Sequence, residues 1–315
     1  MAESSGVGPE AVFHSASYGR CFAHLGQVRQ GAGARAPVHV RQIPGSDLSD
    51  GLLPYPYSWL TGEDIAVIAE EHSDLVTLTG VIAPGFDARR HADTSMISAI
   101  RPYKSHFIFD PQRPVPSLSR RSRRNVARGL RSWRFGVSTG SDIAESLHGL
   151  NIDMVRRRGL SGTVFDAPVT HFSDLCRLAE TEVFTVRDGA EFGSIAVGVR
   201  GPGGLHLLHL LNSEEGLRRD AAAALMWNLV GIFQDRGERL YLGGVPAGAV
   251  GIERFKRRWT NMAEATMLVT VVIDRLANEQ LARRAATGPT DHFPEYRQPW
   301  HLSGHRCVSD PSPPA

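Results

Sequence analysis

Lysine is almost missing from this chain, in which 33 of the 35 basic residues are arginine. The two exceptions are Lys104 and Lys256. An ammonium is a compact charge whose pKa can move and which can give up a proton, whereas a guanidinium stays charged. A surviving lysine therefore marks a candidate for acid–base chemistry. We assign that role to Lys256 and interpret Lys104 as a chance surface residue.

Cysteine is also scarce, with Cys21, Cys176 and Cys307 at wide spacing. An odd and scattered set argues against a disulfide framework and indicates a reducing compartment. The first residues have neither a basic start nor an apolar stretch, so no signal peptide is expected. The longest apolar run, residues 221–233, is shorter than the roughly 18–20 residues that span a bilayer. These features predict a soluble, cytoplasmic protein without membrane insertion.

The length and the pattern of the chain predict two α/β units. A chain of 315 residues is long enough for two domains of about 100–200 residues each. A stiff, proline-rich linker at residues 111–116 separates a first unit, 1–112, from a second, 113–287. We expect mixed sheets flanked by helices. The proline-rich tail, 288–315, is expected to be disordered.

Local signals place several elements of the second unit. Ser117 or Ser119 can cap a helix that runs to about residue 132. Its predicted apolar stripe consists of Leu118, Val126, Leu130 and Trp133. A hairpin is predicted at Asp188-Gly189, followed by one long helix over 214–235 that ends at Gly237.

An arginine run is the strongest local charge feature. Eight arginines lie between Arg113 and Arg134, and no acid occurs between Asp110 and Asp142. The net charge of the chain is only +2, so any interaction with nucleic acid depends on such local patches. A helix of this kind could bind a phosphate backbone, with steep salt dependence, or could be a solvated face paired with distant acids.

Three segments resemble those of the Fem-type transferases. Residues 118–129 look like the basic helix of that family. Residues 237–244, followed by 251–256, resemble its strand, glycine turn and Phe-Lys motif. More weakly, residues 47–57 are similar to its amino-proximal Pro-Tyr-Gly-Tyr loop. Together the segments extend over about residues 11–275, and their order makes the resemblance fairly specific.

The resemblance implies a tandem acetyltransferase-like (GNAT) fold and transfer of an aminoacyl group from aminoacyl-tRNA to an amine, although some relatives use acyl-CoA donors. Lys256 takes the place of the family's lysine near the reacting carbonyl. A fixed cation there stabilises the tetrahedral intermediate, and losing one such donor typically costs about 3–4 kcal/mol. An ammonium can also pass a proton to the departing ribose oxygen.

The charge pattern and the resemblance together indicate the remaining site residues, and no cofactor or metal is expected. Arginines expected to hold tRNA phosphates are Arg120, Arg123, Arg124, Arg128, Arg254, Arg257 and Arg258. Tyr55 and Tyr57 are expected near the acceptor, a small amine or peptide-like molecule, although both tyrosines could equally belong to a packed loop. Asp110 and Glu253 are candidate bases by position only.

Alternative functions remain open. No glycine follows Gly216 at the start of the predicted long helix, which favours tRNA over acyl-CoA as the donor. No long heptad-like insertion resembles the helical arm of relatives that build peptidoglycan cross-bridges. A small acceptor, such as an antibiotic precursor, is therefore favoured over the cell wall. A third interpretation is a tRNA-binding module without catalysis.

Two short motifs suggest unrelated chemistry. Residues 136–140 match the G-x-S-x-G nucleophile elbow, with Ser138 as the nucleophile and His301 or His305 as partner. His301, His305 and Cys307 could bind zinc, but a fourth ligand is not evident. Both motifs are weaker than the three-segment resemblance, since short motifs often occur by chance.

Overall fold

The computed structural model describes residues 12–86, 96–138, 143–245, 248–285 and 294–297. In these ranges the strands are β1 (Gln27–Arg29), β2 (Val38–Gln42), β3 (Ser49–Leu52), β4 (Thr77–Ile82), β5 (Ala99–Phe109), β6 (Arg134–Ser138), β7 (Thr181–Asp188), β8 (Glu191–Gly201), β9 (Gly204–Asn212), β10 (Arg239–Gly244) and β11 (Met262–Val272). The α-helices are α1 (Ala16–Cys21), α2 (Gly62–Glu71), α3 (Arg120–Ser132), α4 (Ala144–Arg158), α5 (Val169–Arg177), α6 (Glu214–Arg218), α7 (Ala221–Arg236), α8 (Val250–Trp259) and α9 (Arg275–Ala285).

All of these strands join one mixed sheet in the order β1-β2-β3-β4-β11-β5-β10-β9-β8-β7-β6. The pairs β3/β4 and β9/β10 are parallel, and the other neighbours are antiparallel. Strand β11 comes from the second predicted unit but lies between β4 and β5 of the first. The two units thus share one sheet, and their division at the linker stays a prediction.

Helices cover both faces of the sheet. In strand β7, Phe184 and Val186 pack with α3, α7 and α8, whereas Val183 points to the opposite face and packs with α4 and α5. This alternation is what successive residues of a strand buried on both faces require. The predicted α/β architecture, a mixed sheet flanked by helices, is confirmed.

Helix α3 begins where the sequence predicts, because the Ser119 hydroxyl accepts a hydrogen bond from the Ser122 backbone N–H. The predicted apolar stripe is wrong at one position, since the Leu130 side chain is exposed. Gly129 faces the protein instead. A Cβ at this position would lie 2.6 Å from the Asp220 carbonyl oxygen and 3.0 Å from Ala224 Cβ. The missing side chain therefore lets α3 pack closely on α7.

The predicted long helix over 214–235 is two helices, α6 and α7, which is a correction to the sequence analysis. The chain turns at Asp220, a non-glycine residue with a φ of 56°. Arg128 of α3 forms an ion pair with the Asp220 carboxylate. Contacts from another helix thus stabilise the break, and they were not visible in the local pattern. Helix α7 ends at Gly237 as predicted.

Part of the predicted disordered tail is ordered against the sheet. The Tyr296 hydroxyl lies 2.7 Å from Thr77 Oγ1, and the tyrosine is buried. Arg297 forms an ion pair with the fully buried Asp50, which also pairs with Arg41 of β2. A buried carboxylate needs such partners, so residues 294–297 pack as part of the fold. The rest of the tail lies outside the described residues.

Candidate active site

The sheet opens between β9 and β10. Their parallel pairing covers only Arg239–Tyr241 against Gly204–His206. Strand β9 nevertheless continues to Asn212, and β10 continues to Gly244. The two strand ends beyond the last paired row therefore diverge, and their facing backbone groups lose each other as partners. We call this opening the wedge.

A bulge in β10 forms one wall of the wedge. The register of β10 against β5 shifts between Tyr241 and Gly244. Gly243 has a φ of 75°, which strongly favours glycine. The irregular backbone brings the carbonyl groups of Leu242 and Gly244 to the same side chain, that of Lys256 on α8.

Lys256 is bound at this bulge. Its Nζ donates to the Leu242 carbonyl oxygen at 2.5 Å and to the Gly244 carbonyl oxygen at 2.7 Å. An ammonium has three N–H donors, so one remains without a partner in the described part of the chain. After loss of one proton, the neutral amine could still supply both carbonyls with hydrogen and would carry a free lone pair. The position suits either proton donation or proton uptake.

Burial, aided by the nearby charge of Lys104, lowers the pKa of Lys256 from 10.5 to about 8. Lys104 is thus not the isolated surface lysine that the sequence analysis expected. Its Cβ lies 3.3 Å from the position that a Cβ on Gly244 would occupy. Both lysines of this arginine-rich chain therefore lie around one glycine at the end of β10.

His106 lies two residues after Lys104 on β5, directly opposite Gly244. Its Nε2 is 2.9 Å from the position of a Cβ on Gly244, so a side chain there would collide with the ring. Burial, aided by the charges of Lys256 and Lys104, lowers the pKa of His106 to about 3. The ring is therefore neutral at physiological pH. This uncharged ring lies beside the two lysines.

Tyr57 packs against the His106 ring. Its hydroxyl lies 2.5 Å from Nδ1 of His206, whose ring stacks on Tyr241 with centroids 4.2 Å apart. The Tyr57 ring is only 2% exposed, so an acceptor could touch it only if neighbouring side chains moved. Tyr55 is half-buried against Phe22. Direct contact of the two tyrosines with an acceptor stays a prediction.

The arginines of α3 divide into two groups. Arg128 pairs with Asp220, and Arg123 donates to the Leu118 carbonyl oxygen at 2.6 Å. Arg120 and Arg124 are exposed and make no ion pair or hydrogen bond to any residue that the structure describes. Two of the four expected phosphate ligands therefore present free guanidinium groups.

The arginines of α8 are also mixed. Arg257 pairs with Glu253 at 2.7 Å and lies over the Phe107 ring at 5.2 Å. Arg254 is exposed and Arg258 is half-buried, and neither has an ion pair within the described ranges. Helices α3 and α8 both contact α7, so they lie on the same face of the sheet. Phosphate binding by either group is not tested by these contacts.

The two carboxylates considered as bases already have partners. Asp110 is buried and forms an ion pair with Arg239 at 3.0 Å, and its carboxylate also accepts from the Gln112 backbone N–H. Glu253 is paired with Arg257. A role as base would require either carboxylate to leave its arginine, and that role stays a prediction.

The two short motifs lie at or beyond the limits of the described residues. Ser138 is the last residue of β6, an edge strand, and residues 139–142 are outside the described ranges. His301, His305 and Cys307 also lie outside them. Among the residues that the structure does describe, no group of three or more His, Cys, Asp and Glu side chains could hold a metal ion. In the same ranges, no helix has the length and apolar character to cross a membrane.

Sequence reasoning missed several residues around the wedge. His206 and His209 lie on β9, which borders the wedge, and Lys104 and His106 lie on β5, the other neighbour of β10. Strand β9 contains the run Leu205-His206-Leu207-Leu208-His209-Leu210. Two histidines in an otherwise apolar strand were the available signal, because a buried strand rarely carries polar side chains without a use or a partner.

One family model matches the part of the chain that contains the wedge. Residues 117–257 match the family model described as an acetyltransferase (GNAT) domain. The match extends from the start of α3 to α8 and includes both walls of the wedge and Lys256. This part of the chain is therefore similar to a GNAT acetyltransferase domain.

Solved structures extend the likeness over most of the chain. FemX aligns with a TM-score of 0.61 at 10% identity, covering 86% of this chain and 97% of FemX. The C-terminal domain of a lysylphosphatidylglycerol synthetase assigned in Agrobacterium fabrum aligns with a TM-score of 0.58 at 13% identity, covering 87% and 93%. L-PGS from Bacillus licheniformis gives 0.56 at 13%, covering 82% and 87%.

At these identities the likeness is one of fold. The GNAT-like fold expected from the sequence is confirmed, and so is the resemblance to Fem-type transferases, as a resemblance of fold. No curated protein sequence matches the chain. Donor and acceptor must therefore be argued from the site itself.

Proposed function

We propose that this protein is an aminoacyltransferase that moves an amino acid from aminoacyl-tRNA to an amine of a small peptide-like acceptor. The observation that carries the proposal is the Lys256 ammonium, bound to two carbonyl groups at the bulge of β10. A cation fixed at the edge of an opening in the sheet is preorganised for charge that develops on a carbonyl oxygen.

The chemistry of amide formation fits one lysine in two roles. The acceptor amine attacks the ester carbonyl, whose π electrons move to oxygen beside the Lys256 ammonium. The intermediate then breaks its bond to the ribose oxygen, which leaves with the electron pair and takes a proton from Lys256. Lys256 regains a proton from the nitrogen of the new amide. A pKa of about 8 suits this exchange, since both protonation states are accessible near neutral pH.

The surroundings of α7 support tRNA as the donor. Acyl-CoA would need an open helix start for its pyrophosphate. At the start of α7, the Asp220 carboxylate is already present, and α3 packs over it through Arg128 and Gly129. The exposed guanidinium groups of Arg120 and Arg124 offer phosphate contacts on the outer side of α3. Phosphate at Arg128 would have to compete with Asp220.

Arg123, Arg254, Arg257 and Arg258 complete the proposed tRNA contacts. Tyr55 and Tyr57 lie on the side of the sheet opposite α8, where we place the acceptor. A small acceptor, such as a precursor of a peptide antibiotic, fits better than peptidoglycan. The longest helix in the described ranges, α7, has 16 residues, and none of these ranges forms a long helical arm.

Binding to the two donor classes tests the proposal. Purified protein is titrated with mixed aminoacyl-tRNA and, separately, with acetyl-CoA and a longer acyl-CoA, each across a salt series. We expect binding to charged tRNA that weakens steeply with salt, because released counterions drive phosphate binding. Binding to acyl-CoA alone would overturn the donor assignment and reduce the arginines of α3 to a solvated face. Salt-steep binding without Lys256-dependent transfer to any amine would indicate a tRNA-binding module.

An acyl-CoA-dependent N-acyltransferase is the second candidate. The match of residues 117–257 to an acetyltransferase domain favours it. Lys256 and the wedge would serve this reaction equally well, because a thioester carbonyl also builds negative charge on oxygen when an amine attacks it. The donor titration separates the two candidates.

A further inference from the structure

The structure contains a second polar group at the wedge that the proposed mechanism does not use. His209 is half-buried on β9, with its ring on the sheet face that carries α5. Its Nε2 lies 2.8 Å from Nε2 of His171 on α5. The Nδ1 atom of His171 in turn lies 2.6 Å from the Cys21 carbonyl oxygen. A continuous chain of hydrogen bonds therefore ends at His209.

The direction of these hydrogen bonds follows from the one between His171 and the Cys21 carbonyl oxygen. A carbonyl oxygen can only accept, so Nδ1 of His171 carries hydrogen. In a neutral His171 ring, Nε2 is then the acceptor, and the hydrogen between the two rings belongs to Nε2 of His209. The neutral His209 ring must therefore have its lone pair on Nδ1. That atom has no hydrogen-bond partner among the described residues.

His209 and Lys256 stand on opposite walls of the wedge. The last paired row is His206 of β9 with Tyr241 of β10. His209 is three residues beyond this row on β9, and Gly244, which binds Lys256 Nζ, is three residues beyond it on β10. Because the strands are parallel, both lie at a similar height. At this height the two strands lack the backbone hydrogen bonds that hold paired strands about 4.8 Å apart.

We propose that His209 is the general base of the transfer reaction, which accepts a proton from the acceptor's ammonium through Nδ1, with His171 as the positioning residue that holds its tautomer. This inference rests on the proposed acyl transfer at Lys256. The acceptor enters from the face that carries α5, and the acyl carbonyl lies toward α8. The ammonium gives one proton to His209, and the amine lone pair attacks the carbonyl carbon. His209 then releases its proton to solvent.

The pKa shifts of the cluster keep the proposed base unprotonated. Burial, aided by the neighbouring His171 and His24, lowers the pKa of His209 well below 6.5. Burial also lowers the pKa of His171 to about 4. Both rings are therefore neutral at pH 7, and the Nδ1 lone pair of His209 is available without prior deprotonation.

Two matched substitutions separate the base from its hydrogen bond. His209→Gln keeps an amide N–H where Nε2 donates to His171, but it removes the Nδ1 lone pair. His148→Gln is the control. Like the His209 ring, the His148 ring lies near Phe172, with ring centroids 6.2 Å apart, yet it makes no hydrogen bond within the described ranges. Thermal unfolding of both variants verifies that they are folded.

Transfer from mixed aminoacyl-tRNA is measured at pH 7 with two amines. The rate of the Lys256→Ala enzyme is subtracted as the background. Glycinamide is mostly an ammonium at this pH, whereas hydroxylamine is mostly neutral and needs no base before it attacks. We expect His209→Gln to lower kcat with glycinamide by about 100- to 10,000-fold. It should leave transfer to hydroxylamine nearly unchanged, and His148→Gln should behave as wild type.

Equal retention of both reactions in His209→Gln would overturn the base assignment while leaving the proposed function intact. Equal loss of both would also overturn it, because a structural defect acts on either amine. If the wild-type protein transfers to neither amine, the proposed function fails and this inference fails with it.

The positioning role of His171 has its own readout. His171→Asn keeps a donor to the Cys21 carbonyl oxygen but removes the acceptor for His209. In ¹⁵N-histidine spectra we expect His209 to carry hydrogen on Nε2 in the wild type and to shift toward the Nδ1–H tautomer in the variant. An unchanged tautomer with an unchanged kcat would refute the role of His171.

Discussion

Removing the charge of Lys104 should raise the pKa of Lys256. The structure lowers that pKa from 10.5 to about 8, mainly through burial and secondly through Lys104. A difference of about 2.5 units corresponds to about 3 kcal/mol against the charged form, at 1.36 kcal/mol per unit. Because Lys104 is the smaller cause, Lys104→Met should recover about 1 unit or less, and the pKa of Lys256 should stay below 10.5.

The scarcity of lysine makes the measurement direct. Protein labelled with ¹³C at the lysine ε-carbon gives two signals, and Lys256→Arg assigns them. We expect one signal to titrate near pH 8 in the wild type and at higher pH in Lys104→Met. A Lys256 signal that titrates near 10.5 in the wild type would refute the burial and the contacts on which the site is built. A pKa unchanged by Lys104→Met would refute the proximity of the two lysines.

The same lowered pKa has a consequence for stability. Since the folded-state value lies below the unfolded one, the ammonium of Lys256 destabilises the fold below about pH 8. This cost disappears as pH rises from about 8 to 10.5, where the unfolded chain binds the extra proton. The free energy of unfolding of the wild type, compared with Lys256→Met by urea denaturation, should rise by up to about 3 kcal/mol across that window.

Three further predictions concern the site and its supports. Lys256→Ala should lower kcat for transfer by about 100- to 1,000-fold with the fold retained, and Lys256→Arg should restore only part of it, because guanidinium cannot give up a proton. The double change Arg120→Gln and Arg124→Gln should weaken binding of charged tRNA and reduce its salt slope by about 2. Gly129→Ala should destabilise the protein by about 1–3 kcal/mol in thermal unfolding, since its Cβ would meet the Asp220 carbonyl oxygen at 2.6 Å.

Matched controls define the outcomes that would contradict these predictions. Arg177→Gln with Arg283→Gln removes two surface arginines on other helices, and an equal fall in the salt slope would show a general charge effect. Gly149→Ala in α4 has open space around its Cβ, so it should stabilise by about 0.5–1 kcal/mol. A Gly129→Ala protein as stable as Gly149→Ala would contradict the close packing of α3 on α7.

Elements with strong local signals could be predicted from the sequence. Ser119 caps α3, the Asp188-Gly189 pair joins β7 and β8, and Gly237 ends α7 with a φ of 67°. In each case the physical cause lies within a few residues of the signal, either a hydroxyl that accepts a backbone N–H or a glycine that adopts positive φ.

Features that depend on distant contacts could not be predicted. Strand β11 inserts between β4 and β5, and such long-range pairing leaves no mark in local periodicity. The break at Asp220 depends on Arg128 and Gly129 of another helix. Leu130 fits the helical stripe, but the close approach of α7 selects Gly129 for the interface instead. The pattern shows which residues are apolar and does not show how near the next helix comes.

The candidate site likewise has one part that the sequence reveals and one part that depends on distant contacts. Composition and the Phe-Lys motif together singled out Lys256, because a rare residue type in a short motif is visible in a sequence. Its hydrogen-bond partners are backbone carbonyls of Leu242 and Gly244, which every residue possesses, so no residue type could have revealed them. His209 remained hidden for a related reason, since its proposed role depends on His171 and on the point at which the pairing of β9 and β10 ends.

The bulge of β10 explains why this chain keeps a lysine where it otherwise uses arginine. A Cβ on Gly243 would lie 3.5 Å from Lys256 Nζ, so there is little room for a planar guanidinium between the two carbonyls. Two carbonyl acceptors satisfy two of the three N–H groups and leave the third for a ligand. Lys104, close by, lowers the pKa of Lys256 toward neutrality, and an arginine could not be tuned in this way. In the proposed mechanism the two lysines thus serve one requirement, which is a cation at the wedge that can exchange its proton.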